Sequence, residues 1–275
     1  MLFLLKIAVT PLLVAFVSLA QRWWGPTIGG ILIGLPWFTG PVLFLLVLGQ
    51  GSGYGAAACV GVELGVACVS AFMLAYGLMA AVTRWPASLA VAVAAFFATA
   101  AAVSDPRLLG WLVPGAVAPL WTAAGIGAAS LCAVLVLLPR PRAEVLPQAP
   151  PWWDIPARMA AAAAIVAAVT ASADALGPRL AGVLSTYPIV VTVIGTFTHQ
   201  SRGVEAVRRV LRGAAASLFG FVAFFLVVGL ALPGIGAVGA YALAAAVQLA
   251  ITAALVAAHG VRRRRIARSD PAAAA

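Results

Sequence analysis

Glu63 is the one carboxylate deep inside an apolar run. It lies in AAACVGVELGVACVS, about eight residues, or about 12 Å at helical rise, from the nearer end of that run. A carboxyl group at such depth can bind and release a proton, so it is a functional candidate by default. Other polar groups gather around two prolines. Thr39 follows Pro36, while Ser185, Thr186 and Tyr187 precede Pro188. Together with Glu63 these residues form the expected substrate-binding and coupling set. Gln50, His199 and Gln200 end the same two apolar runs and are the expected gates.

The chemistry available to an enzyme is sparse. GxSxG, HExxH and a GxGxxG in a strand-to-helix setting are all missing from the sequence. Two histidines, far apart, make no metal cluster, and Cys59, Cys68 and Cys132 lack CxxC spacing. No enzymatic activity, cofactor or metal is therefore expected.

The elements that must position these residues are membrane helices. Of the 275 residues, 64% are hydrophobic and 9% charged, far beyond what a soluble domain of this length requires. Apolar runs of about 20 residues recur along the whole chain, which is the length a bilayer demands. The pattern predicts an all-α polytopic membrane protein of nine spans, near 2–20, 28–48, 55–82, 87–103, 111–138, 157–174, 180–198, 213–232 and 236–258. The first run has no cleavage site followed by a polar domain, so it reads as a retained helix.

Arginine placement predicts orientation. With the C-terminus inside, the inner links and tail hold fourteen of the seventeen Lys and Arg residues. The N-terminus is then outside. The same distribution explains the net charge of +10 without nucleic acid, because the arginines are spread over many short loops. Trp23, Trp24, Trp152 and Trp153 fall at expected interfaces, where indoles anchor.

One pattern occurs twice. GPTIGGILIGLP, from Gly25, and GPRLAGVLSTYP, from Gly177, share five identities in twelve positions at an offset of 152. Their downstream ends, GQGSG and HQSRG, agree after a two-residue shift that sets Gln50 against Gln200 and Gly53 against Gly203. The expected organisation is a first repeat over 1–105, a linking span over 106–138 and a cytoplasmic proline-rich loop over 139–156. A second repeat over 157–259 and a basic cytoplasmic tail over 260–275 follow. An odd number of spans separates the copies, so they are expected to be inverted. Pro36 and Pro188 each remove a backbone donor in mid-span, breaking helices 2 and 7 near a shared cavity.

The twin Gly-Pro helices resemble those of inverted-repeat secondary carriers of the bile-acid symporter and cation–proton antiporter type. Those folds carry five helices per repeat, whereas the second copy here has four. In size and composition the chain also resembles many bacterial inner-membrane proteins. Inverted copies with broken helices imply alternating access. The expected function is secondary transport of a small organic solute, coupled to protons through Glu63, with sodium as the rival ion. A channel, or a membrane scaffold without transport activity, is the alternative. Beyond the bilayer and the solute, a homodimer is compatible with the sequence, and no nucleic-acid partner is expected.

Overall fold

The computed structural model describes residues 2–105, 119–141, 151–176 and 187–269. Among these the chain is entirely α-helical. We number the helices α1 (Leu2–Trp24), α2 (Pro26–Ile33), α3 (Thr39–Gln50), α4 (Ser52–Met79), α5 (Trp85–Ser104), α6 (Pro119–Leu137) and α7 (Asp154–Leu176). The remaining stretch, Ile189–Ser269, leaves helical geometry at Gly203 and Gly236. These two breaks divide it into α8 (189–202), α9 (204–235) and α10 (237–269). By length and composition four of the described stretches can cross a membrane: Ser52–Met79, Trp85–Ser104, Leu120–Leu137 and Ile189–Val261. The chain is therefore a helical protein suited to a membrane.

Glycine sets the sharpest corners. Gly25, Gly51, Gly203 and Gly236 adopt φ values of 92, 90, 75 and 71°. A side chain is strained in this region, and glycine is not. Gly25 separates α1 from α2, Gly51 separates α3 from α4, and Gly203 and Gly236 bound α9.

The boundaries recur at a constant spacing. Helices α1 and α7 are both 23 residues long, and their first residues, Leu2 and Asp154, are 152 apart. Gly51 and Gly203 are 152 apart, as are the extended Arg84, which precedes α5, and Gly236, which precedes α10. The two-residue shift at the ends of GQGSG and HQSRG is thus corrected. The corner in the first stretch is Gly51, not Gly53, because the backbone conformation there is one that glycine alone takes without strain.

Packing centres on the antiparallel pair α4 and α9. A methyl group on Gly55 would stand 3.0 Å from Leu232 Cδ1, one on Gly229 3.3 Å from Cys59 Cβ, and one on Gly77 3.2 Å from Leu211 Cδ1. As α4 ascends, its partners on α9 descend. Around this pair, Phe72, Met73, Tyr76, Leu131, Leu211 and Leu218 belong to one buried cluster. Helix α6 runs parallel to α4, with Gly127 beside Glu63, Ser130 bonded to Ser70 at 3.0 Å, and Leu138 against Gly77.

Candidate functional site

The first break follows from what Pro36 lacks. Helix α2 ends at Ile33, and α3 begins at Thr39. In a continuous helix the carbonyl of Leu32 would accept from the amide of residue 36, but proline has none. The Trp37 indole nitrogen donates to that carbonyl instead, at 2.8 Å. Leu35 adds a longer bond of 3.4 Å to the same oxygen. The Leu32 carbonyl is therefore satisfied within the break, as a backbone group in an apolar setting must be. Thr39 stands at the first position of α3 and is half-buried.

Glycines draw the first half-helix onto α9. A methyl group on Gly30 would overlap the Val210 carbonyl oxygen, and one on Gly34 would meet Ser217 and Leu218. Gly213 on α9 faces Thr27 and Gly30 in return. Close packing is what the Gly30 and Gly34 pair does. Gly61 has no such neighbour within 4 Å.

Around the second proline the structure is described from Tyr187 onward. Ser185 and Thr186 lie outside the described residues, as do Gly177, Pro178, Gly182 and Leu184. Pro188 is buried and immediately precedes α8. Its carbonyl accepts from the Thr192 amide and from the Thr192 hydroxyl, both at 2.9 Å. That hydroxyl oxygen also lies within hydrogen-bond distance of Tyr187 Oη, at 3.2 Å. The Tyr187 ring packs against Phe72 on α4 and against Phe96 and Phe97 on α5. Tyr187 thus anchors the start of α8 to its neighbours.

Leu32 and Ile33, beside the first proline, and Ile189 and Val190, beside the second, all pack against a core of Val14, Val17, Val193, Ile194 and Val210. Gly34 on one side and Tyr187 on the other meet α9 and α4 at Ser217 and Phe72.

Glu63 is fully buried. Among the described residues neither carboxylate oxygen has a hydrogen-bond partner. Leaving a buried carboxyl group in this state is costly. Its neighbour across the helix interface is Gly127 of α6. A methyl group there would stand 3.2 Å from the Glu63 carbonyl oxygen and 3.6 Å from Oε2. Glycine at 127 leaves the space in which the carboxyl group sits.

The expected gates do not form one group. Gln50 is exposed at the end of α3, beside the corner that starts α4. His199 is half-buried, and its Nδ1 lies 3.3 Å from Tyr76 Oη, near the opposite end of α4. Some 25 residues of helix, roughly 37 Å, separate the two levels. Gln200 is exposed on α8 beside His199.

A charged cluster escaped the sequence reading. Arg22, ending α1, and Arg158, one turn into α7, both bond Asp154 Oδ2, at 2.9 and 3.0 Å. Arg202 lies within electrostatic range of Asp154 and Arg22. Gln21 donates to Thr198 at 2.8 Å alongside. The i,i+4 spacing of Asp154 and Arg158 was the available signal. Further arginines cap helix ends at this pole: Arg208 donates to Gly77, and Arg212 donates to Leu135 and Leu138. Cations suit the negative ends of helix dipoles.

Searches against protein-family models, curated proteins and solved structures each gave no match. The reading of function therefore rests on the chain's own geometry.

Proposed function

We propose that the chain is a secondary carrier of a small organic solute, working by alternating access between two inverted repeats in a bacterial inner membrane. The observation that carries this reading is an exchanged pair of contacts. Cys59 meets Gly229, and Leu211 meets Gly77. Moving each residue by 152 converts one pair into the other. Two copies packed antiparallel, related by a two-fold axis across the α4–α9 interface, give this result.

Other relationships support the inversion. The end of α1 meets the start of its counterpart α7 through Arg22 and Asp154, so these two helices also run oppositely. Glu63 has no equivalent carboxyl group, since position 215, which answers to it, is a buried alanine. The symmetric frame would supply the two exchangeable shapes, and the asymmetric additions would supply coupling. In this reading the chain has nine spans, with its N-terminus outside and the arginine-rich pole, loop 139–156 and C-terminus in the cytoplasm. Glu63 binds the proton, while Pro36, Thr39, Tyr187 and Pro188 border the solute path. The freed amides at the breaks favour an anionic or carbonyl-bearing solute.

Metabolite profiling of cells with and without the protein identifies the solute. Purified protein in liposomes then moves that solute with a dependence on the proton gradient. The Glu63→Gln variant keeps the shape and loses the dependence. Unchanged proton dependence in that variant removes Glu63 from the coupling role.

A further inference from the structure

The arginine cluster at the end of α1 carries more positive charge than its own carboxylate can balance. Arg22 and Arg158 both bond the single Asp154, and Arg202 lies within electrostatic range of it. Arg158 is the telling member. Only 4% of its side chain is exposed, Nε is spent on Asp154, and its carbon Cζ lies 5.2 Å from the centre of the Phe197 ring. Its Nη1 is buried and has no hydrogen-bond partner among the described residues. A buried guanidinium donor is costly to leave unmatched.

The surroundings add no second acid among the described groups. Facing Arg158 are Arg22 from α1, Arg202 from α8, Phe197 from α8 and Asp154 from its own helix. Gln21 and Thr198 are bonded to each other. The net charge of the four ionised groups is +2. Three forked cations around a partly open pole, with Arg22 still 25% exposed, suit the tetrahedral oxygens of a phosphate group.

We propose that Arg22, Arg158 and Arg202 form a phosphate-binding site at this pole, with Asp154 holding the first two apart and in register. The phosphate can be the headgroup of an anionic lipid or a free phosphate in solution. Both sources share the chemistry, and the site does not depend on transport. Exposed Trp23, Trp24, Trp152 and Trp153 adjoin Arg22 and Asp154 in sequence, as in a headgroup layer.

The test uses the full-length purified protein. Calorimetric titration with inorganic phosphate in neutral detergent reads the soluble source. Native mass spectrometry after exchange into phosphatidylglycerol or phosphatidylcholine reads the lipid source. Saturable phosphate binding, or retention of phosphatidylglycerol over phosphatidylcholine, is expected. Arg202→Gln should weaken either about tenfold, the order of one charge-assisted bond, and Arg202→Lys should restore most of it. Asp154→Asn keeps an amide oxygen that can accept from Arg22 and Arg158 but removes the competing negative charge, so binding should tighten, an increase that a purely structural ion cluster would not give. Binding of neither phosphate nor phosphatidylglycerol by the folded wild-type protein overturns the site. So does equal binding by wild type and Arg202→Gln.

Discussion

Gly229 on α9 packs closely on Cys59 of α4, where a methyl group would stand 3.3 Å from the Cys59 Cβ. The equivalent contact, Gly77 with Leu211, lies toward the other end of the same pair. If the two sites are copies of one design, they respond alike to crowding. Gly229→Val and Gly77→Val should each lower thermal stability by about 1–3 kcal/mol, the usual cost of overpacking. Melting of the detergent-solubilised variants measures this. Gly61→Ala, with nothing within 4 Å, should stay close to wild type.

Much of this frame is legible in the sequence, for physical reasons. Apolar runs of span length announce membrane helices, and Pro36 announces its own break because the missing amide is a covalent fact. The second corner was misaligned because shared Gln50 and Gln200 outweighed backbone geometry. Only the dihedral angle distinguishes Gly51 from Gly53. Arg84 and Gly236 share a boundary without sharing a residue type, so identity hides their equivalence. Glu63 is conspicuous as a charge in an apolar run. Its neighbour Gly127 carries no mark, since a glycine that makes space looks like any other. The cluster around Asp154 is assembled from three helices, and only its i,i+4 pair is local.

The break at Pro36 depends on a substitute donor. Trp37→Phe keeps the ring and removes the indole N–H, leaving the Leu32 carbonyl with the longer Leu35 bond. A loss of about 0.5–1.5 kcal/mol is expected, the net worth of one hydrogen bond. Pro36→Ala restores a backbone donor and should rescue part of that loss in the double variant. Equal melting of Trp37→Phe and wild type removes the indole from this role.

Gly127 tests whether the space around Glu63 matters. Gly127→Ala places a methyl group 3.6 Å from Oε2, and Gly127→Leu fills the space. The alanine variant should fold and transport more slowly. The leucine variant should lose proton coupling as Glu63→Gln does. Assays in liposomes with an imposed pH gradient compare the three. Wild-type coupling in a folded Gly127→Leu protein separates α6 from Glu63.

Topology has its own check. Reporter fusions within loop 139–156 and after residue 268 should both read cytoplasmic. The arginines near α1, α7 and α9 that gather at one pole lead to the same assignment. A periplasmic signal at either position contradicts this orientation.

The central claim is that two inverted copies exchange shapes. Val82 and Gln200 are exposed near the Tyr76–His199 contact, and their equivalents, Leu48 and Gly234, are exposed near the Gly55–Leu232 contact. Spin labels at 82 and 200, and in a second sample at 48 and 234, report one distance for each end. Cys59, Cys68 and Cys132 are first replaced by alanine. Pulsed electron spin resonance in liposomes, in acidic and in alkaline buffer, then gives the answer. The account predicts two populations in each sample, with one pair lengthening as the other shortens when the pH changes. Two fixed, single distances, or two distances that lengthen together, would contradict it.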